Sequence, residues 1–558
     1  MNRLFIFIFG TFVLVIIFLL QGISFINSNS QTYDEGITIA AGYAYLNSGE
    51  FGVNPEHPPL IKMWTALPIY LLEKMNIIDP KFSFMHEPNQ FMKGYKFLYN
   101  SNISHEKILF ASRFQNLILG ALLIVFVSLW AFRLWGVPSG LLAGALATFE
   151  PNIIANSSIS TLDIGVTLFV FASIYFLWEY MKKPTWFKFT LTFITIGCAF
   201  ASKFSAILLV PILIIVATWV VKNGQSILLP YQSTNADIQV KKRMRISLES
   251  VLILIGGGLV VFQMFYGFGN IEHIINGFMY QFMHAVGGHW AYLFGHYRTS
   301  GWLIYFIVSF LVKTPLITIA LIILSLIYWK RGCKLKSLEA ALLLSPIIVF
   351  MFVMSIGAIN IGIRYILPVY PFLIIIAARI ATFDLRSRLT NIIAFVGTVL
   401  ILIISTFPYS DHALSYFNEA AGGPENGWRI LSDANVDWGN GLKDLKKYME
   451  DNDIDTVHLS YFGTASPAAY GINYEFVPTA TTFELPNAIA KGDPFILAIS
   501  VTNLQGTLFY KNTDIYQWLW DREPIAKPGY SIHIYDFTDD TEAQKKLEEV
   551  AEEVKKLY

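Results

Sequence analysis

Long apolar runs separated by short polar segments make up most of the first 407 residues. A helix needs roughly 20 mostly apolar residues to cross about 30 Å of hydrocarbon. By this criterion the pattern predicts eleven membrane spans, and we interpret the first as a retained anchor because no small-residue cleavage pattern follows Leu20. The predicted spans lie near residues 4–26, 108–132, 138–151, 162–181, 186–200, 204–221, 247–267, 302–329, 338–357, 363–380 and 389–407, and those near 138–151 and 186–200 are short.

A polar segment with a different periodicity follows the last apolar run. The stretch LKDLKKYMED is typical of a charged helix, and another helix is predicted from about Glu542 to the end. Between them the runs TVHLSYF, FILAISV and YSIHIYDF are typical of β-strands. The sequence therefore predicts a polytopic α-helical membrane domain over residues 1–407 and a C-terminal α/β domain over residues 408–558, with no internal repeat.

Composition supports a membrane protein and excludes several other classes. Only 14% of the residues are charged and 54% are hydrophobic, whereas soluble domains carry about 25% charged residues. The two cysteines, Cys198 and Cys333, are too few for a disulfide framework or a zinc site. The 40 basic and 40 acidic residues balance, which argues against a nucleic-acid partner.

The basic residues predict the orientation of the spans. Lys and Arg cluster at Arg133 and in the loops around 181–188, 241–245, 328–336 and 379–388. With the predicted spans, all these clusters lie on the same side of the membrane as the N-terminus, and such an excess marks the cytoplasmic side. From Pro408 onward the chain carries 24 acidic and 12 basic residues. We therefore expect a multi-pass cell-membrane protein with a cytoplasmic N-terminus. The first loop (27–107), the loop at 268–301 and the acidic tail would lie outside the cytoplasm.

The first candidate site is the acidic pair Asp34–Glu35, directly after the first span. Ionisable groups beside a membrane are costly and are often functional. The alternative is structural, since Thr32 and Glu35 have the spacing of a capping box at the start of a helix.

The second candidate is Glu56–His57, which precedes two prolines and an apolar segment too short to span the membrane. That segment is predicted to lie in the membrane interface. A carboxylate beside an imidazole at this level could hold a divalent ion or a phosphate. Equally, Glu56 and His57 could be solvated loop residues without a ligand.

Further candidates combine one acid with cations on the outer side. Asp163 begins a predicted span, where it could merely cap a helix. Lys203 and Arg364 break the positive-inside trend, which indicates an anionic ligand unless the side chains only snorkel. The aromatic-rich loop at 268–301 adds the last three candidates, His289, His296 and Arg298.

Several ordered motifs together resemble a known superfamily. They are YDEG, EHPPLIK, the Thr-x-Asp at 161–163, SKFSA, LVKTP, NIGIRYILPVYP and the tail segment YFNEAAGGPENGWRILSDANVDWG. Their order from about residue 30 to 440 resembles the GT-C glycosyltransferases, specifically the protein O-mannosyltransferase-like family 39 and the related lipid A aminoarabinose transferases. The tail resembles that of prokaryotic members and differs from the lumenal domain of the eukaryotic mannosyltransferases.

The resemblance implies roles for the candidate residues. Asp34 corresponds to the proposed base, with Asp163 and Glu35 as further catalytic candidates. Lys203, Arg364, Arg298 and His57 would face the donor phosphate. Glu56, His289 and His296 would be the ligands if a divalent metal takes part.

The predicted function is therefore transfer of a sugar, mannose or another hexose or pentose, from a polyprenyl-phosphate carrier in the bilayer. The acceptor would be a hydroxyl of a protein, lipid or glycan on the extracytoplasmic side, and transfer would invert the anomeric centre. A lipid or sugar transporter is the main alternative, but transporters place ionisable groups mid-membrane and show two similar halves. A scaffold with a partner-binding tail would leave the outer cations unexplained.

Overall fold

The computed structural model describes residues 2–82, 84–85, 87–230, 240–329, 337–383, 387–479, 494–507, 509 and 514–557. Cys333, and with it most of the predicted basic loop at 328–336, lies outside these residues.

The described residues form mostly α-helices. The helices before the hairpin described below are α1 (Arg3–Ser28), α2 (Glu35–Ser48), α3 (Leu60–Lys74), α4 (Gln90–Tyr99), α5 (His105–Trp135), α6 (Val137–Thr148), α7 (Pro151–Ser157), α8 (Asp163–Lys182), α9 (Trp186–Ser202), α10 (Leu209–Lys222), α11 (Val240–Phe265) and α12 (Ile271–Gly287). Those after it are α13 (Tyr305–Lys313), α14 (Leu316–Ile327), α15 (Ser337–Ile356), α16 (Tyr370–Ala378), α17 (Arg388–Thr406), α18 (Pro424–Gly427), α19 (Leu442–Asp451), α20 (Val501–Leu504) and α21 (Thr541–Leu557).

Eight helical segments in the described part of the chain are long and apolar enough to cross a membrane. The pair α13–α14 would make a ninth span, although it bends by 114° at the Thr314–Pro315 break. Proline explains that break, because its ring and missing N–H interrupt a helix. The two short predicted spans correspond to α6 and α9, which are apolar helices of 12 and 17 residues. The predicted polytopic helical fold is thus confirmed, with eight or nine long spans rather than eleven.

The tail contains a four-stranded sheet of β3 (Thr456–Ser460), β4 (Asn473–Phe476), β5 (Ile496–Ser500) and β6 (Ile532–Asp536). The strand order is β4-β3-β5-β6, with β3 parallel to both neighbours and β6 antiparallel to β5. The three predicted strands and both predicted helices are confirmed. The exposed edge strand β4 was not predicted, since it is short and lacks a run of apolar residues.

A small hairpin, β1 (Ala291–Leu293) and β2 (His296–Arg298), stands in the loop at 268–301. Phe294 and Gly295, between its strands, both have positive φ, at 50° and 81°. Two such residues match the right-handed twist of a hairpin, as in a type I′ turn. The hairpin fixes where the predicted residues His296 and Arg298 point.

The tail packs directly onto the membrane helices. One core cluster includes residues of α1 and of the sheet, and the buried residues of a second, smaller cluster around α19 belong to the tail alone. Lys313, buried at the end of α13, donates 2.7 and 2.5 Å hydrogen bonds to the carbonyls of Leu414 and Asn435. The backbone N–H of Tyr33 donates to the carbonyl of Trp438 at 2.9 Å. The tail and the loop that carries Asp34 therefore lie on the same side of the helical domain.

Candidate active site

A cavity of about 500 Å³ lies where the first loop, the ends of several spans and the tail meet. Its wall contains acidic, basic and aromatic side chains. Of the ten residues predicted for the site, seven line this cavity: Asp34, Glu56, His57, Asp163, Lys203, His289 and Arg364.

An alternating row of charges forms the centre of the cavity. Arg364 Nη1 lies 3.3 Å from Asp34 Oδ2 and 4.0 Å from Asp163 Oδ2. Lys203 Nζ lies 2.7 Å from the other carboxylate oxygen of Asp163. The row thus runs Asp34, Arg364, Asp163, Lys203, and each cation is held by a carboxylate at a partly buried site.

Helix ends position these side chains. Asp34 is the residue before α2 and makes no capping hydrogen bond with its side chain, and 37% of that side chain is exposed. Asp163 is the first residue of α8, and Lys203 follows the last residue of α9. Because α8 and α9 pack against each other, their ends bring Asp163 and Lys203 together. Arg364 lies in the 3₁₀ segment Ile363–Val369, so all four residues lie at ends or breaks of helices.

The electrostatics of Asp34 suit a proton acceptor. Burial raises the pKa of the Asp34 carboxyl above its ordinary value, while Arg364 opposes the shift and Glu56 adds to it. A carboxylate with a raised pKa is a stronger base than an exposed one. The position and the charge of Asp34 are therefore compatible with general-base chemistry.

Glu35 lies outside the cavity and is fully buried. Its carboxylate forms a bidentate pair with Arg113, at 2.8 and 2.7 Å, and accepts the backbone N–H groups of Thr32 and Ser160, both at 2.8 Å. Burial alone would raise the pKa of Glu35, but the Arg113 charge and these hydrogen bonds hold it below its ordinary value. These contacts are those of a capping and structural carboxylate, and Glu35 is not among the residues that line the cavity.

His57 and Glu56 lie on the side of the cavity formed by the first loop. Burial, followed by the charges of Lys203 and Lys62, holds the pKa of His57 well below its usual value, so the imidazole is neutral at physiological pH. Glu56 accepts a hydrogen bond from Gln90 Nε2. Lys62, which we had not predicted, binds the carbonyls of Asn54 and His57 at 2.7 and 3.0 Å and fixes this loop.

Two predicted residues are not brought to the cavity. Arg298 lies on the hairpin, where its guanidinium stacks over the Trp302 ring at 3.9 Å. His296 is exposed on the same strand. Neither side chain is among the residues that line the cavity, so the role of Arg298 at the donor phosphate stays a prediction that this geometry does not support.

The predicted metal ligands are also not assembled. Glu56 and His289 line the same cavity, but His296 does not. Over the described ranges no group of three or more His, Cys, Asp or Glu side chains has an arrangement that could hold a metal ion. The His289 ring instead directs Nδ1 to the backbone carbonyl of Trp290 at 2.9 Å.

The tail contributes cavity residues that sequence reasoning missed. These are Asp433, Trp438 and Phe462. Trp438 lies under the Arg364 guanidinium, 4.0 Å from its ring centroid. The segment DANVDWG is part of the family resemblance, but it predicts no role because nothing in the sequence places it beside the first loop.

The described residues thus form a helical membrane domain with a charged cavity at the ends of several helices. Residues 8–256 match the family described as dolichyl-phosphate-mannose-protein mannosyltransferase. Over this part of the chain, which includes Asp34, Asp163 and Lys203, the predicted relationship to the O-mannosyltransferase superfamily is confirmed, and with it the enzyme class.

Comparison with solved structures gives distant similarities. ArnT from Cupriavidus metallidurans, in a crystal structure bound to undecaprenyl phosphate, is 13% identical with a TM-score of 0.47; the alignment covers 95% of this chain and 97% of that one. The Archaeoglobus fulgidus oligosaccharyltransferase is 12% identical with a TM-score of 0.46, covering 75% of this chain and 57% of that one. The S. cerevisiae protein O-mannosyltransferase complex bound to the sugar donor is 17% identical with a TM-score of 0.34, covering 49% and 34%. No curated protein sequence matches the chain significantly.

Proposed function

We propose that the protein transfers a sugar from a polyprenyl-phosphate carrier to an acceptor hydroxyl, with Asp34 as the general base. The observation that carries the proposal is the charge row of Asp34, Arg364, Asp163 and Lys203 in one cavity beside the ends of the spans. The family match of residues 8–256 supports it independently.

Lys203 and Arg364 provide the site for the donor phosphate. Both are largely buried cations at the cavity wall, and Arg364 Nε donates to no acceptor within the described part of the chain. Charged donors that already lie in a site of low dielectric stabilise the negative charge that develops on a leaving phosphate. A carrier lipid in the bilayer would place its phosphate at this depth without leaving the membrane.

The transfer is a single displacement at the anomeric carbon. The acceptor oxygen attacks that carbon while its proton passes to the Asp34 carboxylate. The bond between the anomeric carbon and the phosphate oxygen breaks, and its electron pair leaves with the polyprenyl phosphate. The configuration inverts, because the attacking and leaving oxygens lie on opposite faces of the sugar. Asp163 holds both cations in place through its two carboxylate oxygens.

The experiment is release of polyprenyl phosphate by purified full-length protein from a panel of polyprenyl-phosphate sugars. The wild type is expected to release the lipid phosphate from at least one donor, and Asp34→Asn is expected to bind that donor but release little product. Absence of release from every hexose and pentose donor, despite measurable binding of the lipids, would contradict the proposed transfer.

We further propose that the cavity faces away from the cytoplasm, as the basic loops predict. In a variant without native cysteines, Lys545→Cys on the exposed face of α21 should react with an impermeant thiol reagent in intact cells. Lys183→Cys, exposed in the loop between α8 and α9, should react only after lysis. The reverse pattern would place the cavity in the cytoplasm.

A further inference from the structure

We infer that the tail provides the subsite for the sugar of the donor, built from Asp433, Trp438 and Phe462. This inference rests on the proposed function, since it names the part of the donor that the tail recognises. It also gives the C-terminal region a role in the reaction itself, beyond that of an attached domain.

The location of Asp433 supports a polar contact with a ligand. This residue is 6% exposed and lines the cavity. Its Oδ1 accepts the N–H of the neighbouring Ala434 at 2.6 Å. An ionised carboxylate has about four lone-pair sites, so a single backbone N–H leaves it able to accept further hydrogen bonds from a ligand in the cavity. The hydroxyl groups of a sugar can donate such hydrogen bonds.

The backbone at Asp433 shows how the carboxylate is held there. Its φ is +55°, in the left-handed region, which Asp and Asn adopt more readily than other residues with a side chain. Asn435, two residues on, accepts the backbone N–H of Ile363 at 2.9 Å and donates to the Tyr305 hydroxyl at 2.9 Å. These bonds tie the segment to the residue that precedes Arg364, so the tail and the phosphate site form one unit.

Aromatic rings form part of the wall of the cavity that Asp433 lines. The rings of Tyr33 and Phe462 stack with centroids 5.3 Å apart, and Phe91 meets the Tyr33 ring edge-on at 5.1 Å. All three line the cavity. The electron-rich face of an aromatic ring accepts the C–H face of a sugar ring, and a few polar groups among aromatic side chains fix the orientation of a ligand.

Proximity to the phosphate site indicates the donor sugar rather than the acceptor. Trp438 packs its ring against the guanidinium of Arg364 at 4.0 Å, and the charge of Arg364 also acts on Asp433. The sugar of the donor is bonded directly to the phosphate, so it must lie beside the cations that hold that phosphate. Trp438 is therefore in contact with Arg364, and Asp433 and Phe462 line the same cavity.

The test compares binding of two lipids, polyprenyl phosphate and the polyprenyl-phosphate sugar that the wild type uses, to the full-length protein. The variants are Asp433→Asn, which keeps the left-handed backbone accessible, and Phe462→Leu, which keeps an apolar side chain without the ring. Asp444→Asn and Phe509→Leu are matched controls in the same region that lie away from the cavity.

Asp433→Asn is expected to weaken binding of the sugar-bearing lipid about tenfold, as loss of a hydrogen bond to a charged group would do. Phe462→Leu should weaken it by roughly threefold to tenfold, the range of a lost aromatic contact. Binding of polyprenyl phosphate without the sugar should stay unchanged in both variants, and both controls should bind both lipids normally.

Three other results would overturn the inference. Equal weakening for both lipids would assign the tail residues to the phosphate, and the proposed function would stand. Normal binding of both lipids with a raised KM for the acceptor would assign the subsite to the acceptor. Failure of the wild type to bind either lipid would contradict the proposed function together with this inference.

Discussion

Arg364 Nη1 lies 3.3 Å from Asp34 Oδ2, although 330 residues separate the two positions in the sequence. The contact joins the first loop to the 3₁₀ segment Ile363–Val369, which begins the span Ile363–Thr382. It gives the candidate base a cationic neighbour that can hold the donor phosphate. The candidate base and the candidate phosphate-binding cation are therefore adjacent side chains, and mutation of one or the other can test each role separately.

Asp34→Asn should lower turnover by roughly 10²–10⁴-fold, because the amide keeps the size of the side chain but accepts no proton. Binding of polyprenyl phosphate should be retained or strengthened, since the variant removes a negative charge next to Arg364. Turnover is measured as released lipid phosphate, and binding by titration of the purified protein.

Asp163→Asn is the matched variant, because it also neutralises a carboxylate of the charge row. Asp163 pairs with Lys203 at 2.7 Å and is buried, so this variant should weaken donor binding by disturbing both cations. If Asp34→Asn turns over normally while Asp163→Asn does not, the base is Asp163.

Neutral replacement of Lys203 or Arg364, to Met or Gln, should weaken binding of polyprenyl phosphate. A charge-assisted contact is worth about 1.5–3 kcal/mol, which corresponds to roughly tenfold to more than a hundredfold in affinity. Arg298→Gln provides the control, since its guanidinium stacks on Trp302 away from the cavity. Equal affinity of the Lys203 and Arg364 variants and the wild type would show that these cations only neutralise the carboxylates.

Much of this fold follows from patterns that lie close together in the sequence. Apolar runs predict the helices because the side chains of a span either lie buried in the protein or face hydrocarbon along its whole length. The helix Leu442–Asp451 coincides with the charged run LKDLKKYMED that helical periodicity predicts. The short helices α6 and α9 show the limit, because apolarity alone cannot tell a span from a buried core helix.

The candidate site was partly predictable for a different reason. Asp163, Lys203 and Arg364 stand out because they are charged where membrane composition disfavours charge. Asp433 and Trp438 give no such signal, since acidic and aromatic residues are ordinary in a soluble tail. Arg298 gives the same signal, but its guanidinium stacks on Trp302 and the residue does not line the cavity. Long-range packing decides these cases, and the sequence pattern does not contain it.

The pH dependence of turnover should show the raised pKa of Asp34. The carboxylate must be deprotonated to accept a proton, so turnover is present above this pKa and is lost as pH falls through it. Burial raises the pKa, so the acidic limb should lie above pH 3.8, the ordinary value of an Asp side chain. The measurement is kcat against pH at saturating donor.

The Arg364→Gln variant tests whether the titration of Asp34 causes the acidic limb of the pH profile. Arg364 lowers the pKa of Asp34 against the effect of burial. Its removal should therefore move the acidic limb of the residual activity to higher pH. A limb at the same pH in both proteins would mean that a group other than Asp34 limits the rate.

Glu35→Gln should destabilise the protein without removing the base. The Glu35–Arg113 pair is 0% and 1% exposed, and loss of one partner leaves an uncompensated charge in the interior. Breaking such a pair costs about 3–5 kcal/mol. We expect a lower yield and a lower melting temperature in detergent, with turnover per folded molecule close to that of the wild type.

The neighbouring variant Asp34→Asn is the matched comparison, since it changes the adjacent acid in the same chemical way. It should have the opposite profile, with a near-normal melting temperature and little turnover. The physical reason is that Asp34 is 37% exposed and meets one cation at 3.3 Å, whereas Glu35 accepts four short hydrogen bonds in a closed site. If Glu35→Gln instead melts normally and loses turnover, the base is Glu35, and its hydrogen bonds must open during the reaction.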